Sequence, residues 1–207
     1  MLAGHSHRAD GPVNGRATPC NSLDILTLTL LSPKAPPRRI APLLYARLVQ
    51  AAREPVLYRD LKVPDTIEGR YEMIALHMAL LLGRLQQEGR ARAKLAQALL
   101  DYMAADFDRS IRELGIGDLS VARYMKRLGE GFYGRAVAYS DALQRPDDSA
   151  LSEALLRNVY AGTDPGKPIL ATFCGYIRRQ AECLARQNSE SIAGGEVGYD
   201  PVEGGAA

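Results

Sequence analysis

The chain has 207 residues, of which 46% are hydrophobic and 24% charged, and its formal net charge is +2. Those values exclude a disordered polyelectrolyte and allow one substantial core. The three cysteines, Cys20, Cys174 and Cys183, fall at no metal-ligand spacing, and the odd count in a chain this long fits a reducing compartment better than a disulfide framework.

Residues 1–22 are rich in Gly, Pro, His, Asn and Ser and read as unfolded. The apolar run Leu23–Leu31 is too short to span a membrane and contains Asp24. It has neither the basic leader nor the cleavage site of a secretory signal, and it reads equally as a strand or a helical turn. The prolines of 32–39 argue against a helix there, so folding is expected to begin near Ile40. Pro42 suits the opening of a helix to Arg53. Residues 57–61 read as a helical turn. Thr66 is a candidate cap for a helix that ends near Gly89. Tyr71, Ile74, Ala75, Met78, Leu82 and Leu85 recur there at helical spacing, and Met73, Leu76 and Leu80 widen the apolar surface, so this helix should be central.

A third long helix is expected over 91–114, with the stripe Ala96, Leu99, Leu100, Met103, Phe107, Ser110, Ile111 and Leu114. Gly115 fits a left-handed termination. The fourth covers 121–143, with Val121, Tyr124, Met125, Leu128, Phe132, Ala136, Tyr139 and Leu143 aligned, and Pro146 stops it. Shorter and longer helices follow over 149–159 and 167–186, with Cys174 on an apolar stripe as a buried thiol. The stretch from Gln187 carries Glu190, Glu196, Asp200 and Glu203 with no Lys or Arg, and reads as loose. The fold class is therefore all-α: an irregular bundle of about six helices with flexible N- and C-terminal tails. The organisation is an extension over 1–39, a helical domain over 40–186 and an acidic Gly-rich tail over 187–207.

Two charges fall on apolar arcs. Asp106 projects about 60° from Met103, and Arg135 about 20° from Leu128. A buried carboxylate and a buried guanidinium both need partners, and Arg matches a carboxylate fork. One reading pairs Asp106 with Arg135 across the two helices. Others let Arg135 snorkel to the rim or hold a partner's carboxylate. Gly131 and Gly134 flank Phe132 and imply the close approach of another backbone, either a crossing helix or a partner segment. Asp101, Asp108 and Arg112 share an outer face, and Arg123, Lys126, Glu130 and Tyr133 lie on the outer side of the next helix.

No Gly-rich phosphate loop, zinc-binding pair or His-Glu-x-x-His string is present. His77 is the only histidine of the expected folded part and reads as structural. No catalytic constellation and no nucleic-acid recognition module can be assembled.

Four strings carry a family resemblance. They are Leu57-Tyr-Arg-Asp-Leu-Lys-Val-Pro-Asp-Thr-Ile-Glu-Gly-Arg-Tyr71, continued by His77 and Leu80-Leu-Leu82; Asp106-Phe-Asp-Arg-Ser-Ile-Arg-Glu-Leu-Gly-Ile-Gly-Asp118; Met125-Lys-Arg127; and Phe132-Tyr-Gly-Arg135. Over about residues 42–145 the chain resembles the ubiquinol–cytochrome c chaperone family. The resemblance implies a helical assembly factor for the cytochrome bc1 complex, without enzymatic activity and without a cofactor-ligand set. The implied partners are nascent or newly inserted cytochrome b, the ribosome exit region and a small helper protein. The implied location is cytoplasmic and peripheral at the inner membrane, on the matrix side in a eukaryote. Together with the outer faces just described, this puts the partner contacts at Asp108, Arg112, Glu113, Asp118, Arg123, Lys126 and Tyr133, joined by the loop from Asp65 to Arg70. The alternative function is a ribosome- or RNA-associated helical adaptor.

Overall fold

A computed structural model describes residues 36–202 apart from 114 and 116. The run at 23–31 and Cys20 lie outside the described residues. Among those described, all regular structure is helical: α1 Pro37–Ala52, α2 Pro55–Arg59, α3 Ile67–Gln86, α4 Arg90–Glu113, α5 Asp118–Leu143, α6 Ser149–Asn158, α7 Lys167–Arg186 and α8 Ser189–Ala193.

The helix expected from Pro42 starts five residues earlier. Pro37 occupies its first turn, where no amide donor is needed. Pro42 then sits inside the helix and removes one hydrogen bond. The helix persists because Ile40, Ala41, Leu44, Tyr45 and Leu48 are buried along one side. Thr66 does cap α3, its Oγ1 accepting from the Gly69 amide at 3.1 Å. Residues 71–78 of α3 are buried without a break, Glu72 and His77 included. This helix is the axis of the bundle: α1, α4, α5 and α7 all pack on it, α1 also lies along α4, and α6 bridges α5 to α7.

Gly115 adopts φ +76°, the left-handed termination read from the sequence. The helix expected from Val121 begins at Asp118, with Gly117 extended ahead of it. The stretch after Gln187 is not loose through Val202. Asn188 caps α8 by accepting from the Glu190 amide at 2.7 Å, and Ile192 and Val197 are buried. The Gln180 amide group donates to Asp200 O at 2.6 Å and accepts from Asp200 N at 3.0 Å. Gln187 treats Gly198 in the same way, at 2.8 Å in both directions. Side-chain amides on α7 and at its C-terminal cap thus satisfy the main chain of an extended segment that composition alone describes as unfolded.

His77 is fully buried between α3 and α7. Its Nδ1 lies 2.7 Å from Met73 O and its Nε2 2.8 Å from the Tyr176 hydroxyl. A carbonyl only accepts, so Nδ1 carries the proton and Tyr176 donates to Nε2. Burial pushes the imidazole down to a pKa of about 4.

Candidate functional site

The pair expected between Asp106 and Arg135 does not form. Arg135 instead forks Glu72 of α3, with Nε to Oε2 at 2.7 Å and Nη2 to Oε1 at 2.6 Å. Asp106 accepts from the Tyr45 hydroxyl of α1 at 3.0 Å. The physical reason is the position of α3. Its N-terminal half backs α5, so the first carboxylate Arg135 meets is one on α3, while α4 turns Asp106 towards α1. Burial lifts the Glu72 carboxyl above its ordinary range, and the Arg135 fork works against that lift.

Gly131 is explained by the same fork. A Cβ there would collide with Arg135 Nη1, so this glycine gives the guanidinium room to reach Glu72. Gly129 and Gly134 have no such reason: a Cβ on either would meet nothing within 4 Å.

In front of this scaffold, the apolar stripes of α4 and α5 are only partly used. Leu99, Met103 and Ile111 of α4 are buried, as are Val121, Phe132 and Tyr139 of α5. Leu100, Phe107, Met125 and Leu128 are half-exposed. What they leave uncovered is an open cleft of about 210 Å³ between the two helices, floored by Tyr71, lined by Met103, Phe107, Met125, Leu128 and Phe132, and lipped by Asp101, Ala104, Gly129 and Tyr133. Tyr71 packs edge-on to Phe107 with ring centroids 5.1 Å apart and donates to Leu128 O at 3.1 Å, which ties the floor to both walls. Burial pushes the Tyr71 phenol up to about 12, so it stays a neutral donor. Tyr133 is 65% exposed and Val137 58%, extending the apolar lip along α5.

The sequence-predicted contact residues separate into three charged groups and Tyr133. Arg112 brings together Asp108, at 2.7 Å from Nε, and Asp118, which it also contacts. Arg123 and Glu113 are exposed, and Lys126 lies 3.8 Å from Glu130. Asp65 and Arg70 hydrogen-bond to each other at 2.6 Å at the start of α3. Of the nine, only Tyr133 lines the cleft. Sequence reasoning weighted the charged faces and missed the cleft. Its signal was the number of apolar residues on α4 and α5, more than a surface hairpin can bury against one side of α3.

Among the described residues no group of His, Cys, Asp or Glu is placed to hold a metal ion, and no helix is long and apolar enough to cross a membrane. The cleft offers contact surface and one carboxylate.

A family profile described as ubiquinol-cytochrome C chaperone matches residues 59–199. The chain belongs to the ubiquinol–cytochrome c chaperone family. The match runs on through α6 and α7, past the stretch in which the sequence resemblance is most distinct. The ubiquinol-cytochrome-c reductase complex assembly factor 1 of Xenopus laevis is 28% identical over 70% of this chain and 72% of its own. The mouse protein of the same name is 25% identical over 68% of this chain and 48% of its own. The mitochondrial protein CBP3 of Saccharomyces cerevisiae is 26% identical over 70% of this chain and 44% of its own. The chain thus spans about half the length of the mouse and yeast relatives. A crystal structure of the Cbp3 homolog from Brucella abortus superposes with a TM-score of 0.71 at 40% identity, covering 79% of this chain and 90% of that one. The family is thus one of chaperones whose named relatives assemble ubiquinol–cytochrome c reductase.

Proposed function

We propose that this chaperone holds newly made cytochrome b, or an early assembly intermediate that contains it, in the α4–α5 cleft, and that it does so without catalysing a reaction. The observation that carries the reading is the cleft itself: a water-exposed apolar trough on a rigid scaffold, with Met103 and Met125 in its walls. Unbranched thioether side chains adapt to varied apolar partners, and an apolar trough left open to solvent is costly unless something is meant to cover it. A freshly synthesised membrane subunit supplies such a cover, because its apolar segments have no lipid until they insert. The charged network of Asp108, Arg112 and Asp118, with Arg123, Lys126 and Glu113, borders the same hairpin and suits the polar rim of a protein contact. A small helper protein and peripheral contact with the membrane belong to the same proposal.

The test is photocrosslinking in cells with a photoreactive residue replacing Tyr133. Recovery of cytochrome b supports the reading. Recovery of ribosomal proteins or RNA alone, together with a general translation defect in a deletion strain, would transfer the assignment to a ribosome- or RNA-associated adaptor.

A further inference from the structure

The cleft has a polarity. α4 and α5 run antiparallel through the turn at Gly115 and Gly117. One end of the trough is therefore set by Phe107 and Met125, near the turn, and the other by Leu100, Asp101, Phe132 and Tyr133. The four carboxylates along α4 are not equivalent. Glu113 stands exposed beside the turn. Asp106 takes the Tyr45 hydroxyl, and Asp108 is neutralised by Arg112. Among the described residues Asp101 meets the neutral Gln97 amide, at 2.8 Å to Oδ1, and no cation, which leaves its negative charge unpaired at the end away from the turn. At the other end both signs mix: Arg123 and Lys126 of α5 are exposed, as is Glu113, and Lys126 lies 3.8 Å from Glu130. Of the residues that line the trough, Asp101 alone is charged, so the negative end is the distinctive one.

Two of its four lip residues are small. Ala104 and Gly129 are both exposed and line the opening, and Gly129 and Gly134 leave open space where a Cβ would be. Each helical glycine costs about 1 kcal/mol relative to Ala, and no neighbour in this fold requires either one. Small lips let two backbones come close, as at packed helix pairs. The volume of about 210 Å³ sets the depth of entry. An apolar cavity of about 150 Å³ holds a benzene ring, so this trough admits one or two side chains while the partner's backbone rides on the lips.

Building on the chaperone reading, we infer that the cleft takes a single apolar helix that carries Lys or Arg at one end, seated with its cationic end on Asp101 and its backbone against Ala104 and Gly129. Transmembrane segments have this chemistry: an apolar body with a basic flank on the side from which a chaperone approaches.

The test uses the full chain and two fluorescein-labelled 18-residue helical peptides with the same leucine stripe, one ending in Lys-Lys and one in Glu-Glu, read by fluorescence anisotropy. The expected result is tighter binding of the Lys-Lys peptide by about two- to fivefold, the usual range for one ion pair at an exposed site. Asp101→Lys should reverse the order. Gly129→Leu should abolish binding of both peptides without lowering the melting temperature, and Gly129→Ala should raise that temperature. Equal binding of the two peptides, an unchanged order in Asp101→Lys, or intact binding by Gly129→Leu would each overturn the inference, as would binding of neither. Crosslinking of cytochrome b at position 133 alongside equal peptide binding would preserve the chaperone reading while removing this one.

Discussion

Arg135 and Glu72 fix the spacing of α3 and α5 behind the cleft. Glu72 is almost wholly buried, whereas the Arg135 side chain keeps 24% of its exposure. Removing one member strands the other, and for a buried pair this costs about 3–5 kcal/mol. Glu72→Gln and Arg135→Met should fall near the lower end, about 3 kcal/mol each by urea unfolding, because water still reaches the guanidinium. Their double variant should lose less than the two losses added, and strict additivity would show that the fork contributes no coupling. Gly131→Ala belongs to the same test. An exposed helical Gly→Ala change ordinarily gains up to ~1 kcal/mol. Here the new methyl must push the guanidinium off Glu72, so a net loss of about 1–2 kcal/mol is expected. That Arg135 sits on an apolar arc was legible in the sequence; the identity of its partner was not. Helical projection ranks residues within one helix and says nothing about which helix lies across. The missed clue was on α3. A helix apolar around its whole girth has no wet face for Glu72, so that carboxylate needed a cation from a neighbour.

At the scale of elements, helix identities and stops were readable because they depend on local chemistry: Thr66 as a cap, Gly115 in a left-handed turn, and the apolar periodicity of α3. The start of α1 and the segment after α7 were not, because both are decided by tertiary contacts that override local signals. Pro42 is tolerated since α1 buries a full face, and residues 195–202 are held since Gln180 on α7 and Gln187 just past its end pair with their main chain. Gln180 is fully buried, so Gln180→Ala should leave the Asp200 amide and carbonyl without partners and cost about 1–3 kcal/mol. Hydrogen exchange is the sharper readout. The Asp200 amide should lose its protection in this variant while amides in the middle of α3 keep theirs. Unchanged protection at Asp200 would mean that the segment is held by Ile192 and Val197 alone.

At the scale of the whole molecule, the bundle divides into a sealed half and an open half. The sealed half joins α3, α7 and residues 195–202 around His77, Tyr176 and Tyr199, with the Tyr199 ring centroid 5.7 Å from that of His77. The open half is the α4–α5 cleft, where the same apolar chemistry faces solvent. Acid should act on the sealed half first. His77 is neutral in the fold, with its pKa pushed down to about 4 by burial, against about 6.5 in an unfolded chain. Between those values the unfolded chain binds a proton that the folded one refuses, so stability falls as pH drops from 6.5 towards 4 and is fully present above 6.5. The contribution is on the order of 3 kcal/mol. Carboxylates titrate over part of the same range, so the measurement is a difference. Denaturant unfolding of the native chain and of His77→Gln, whose amide can still donate and accept without titrating, should give stability curves that run parallel above pH 7 and converge below pH 6. A nuclear magnetic resonance titration should show the His77 ring still neutral at pH 5. Parallel curves down to pH 4 would place the acid sensitivity of this fold elsewhere. Convergence would show that the neutral His77 at the joint between α3 and α7 sets the acid sensitivity of this fold.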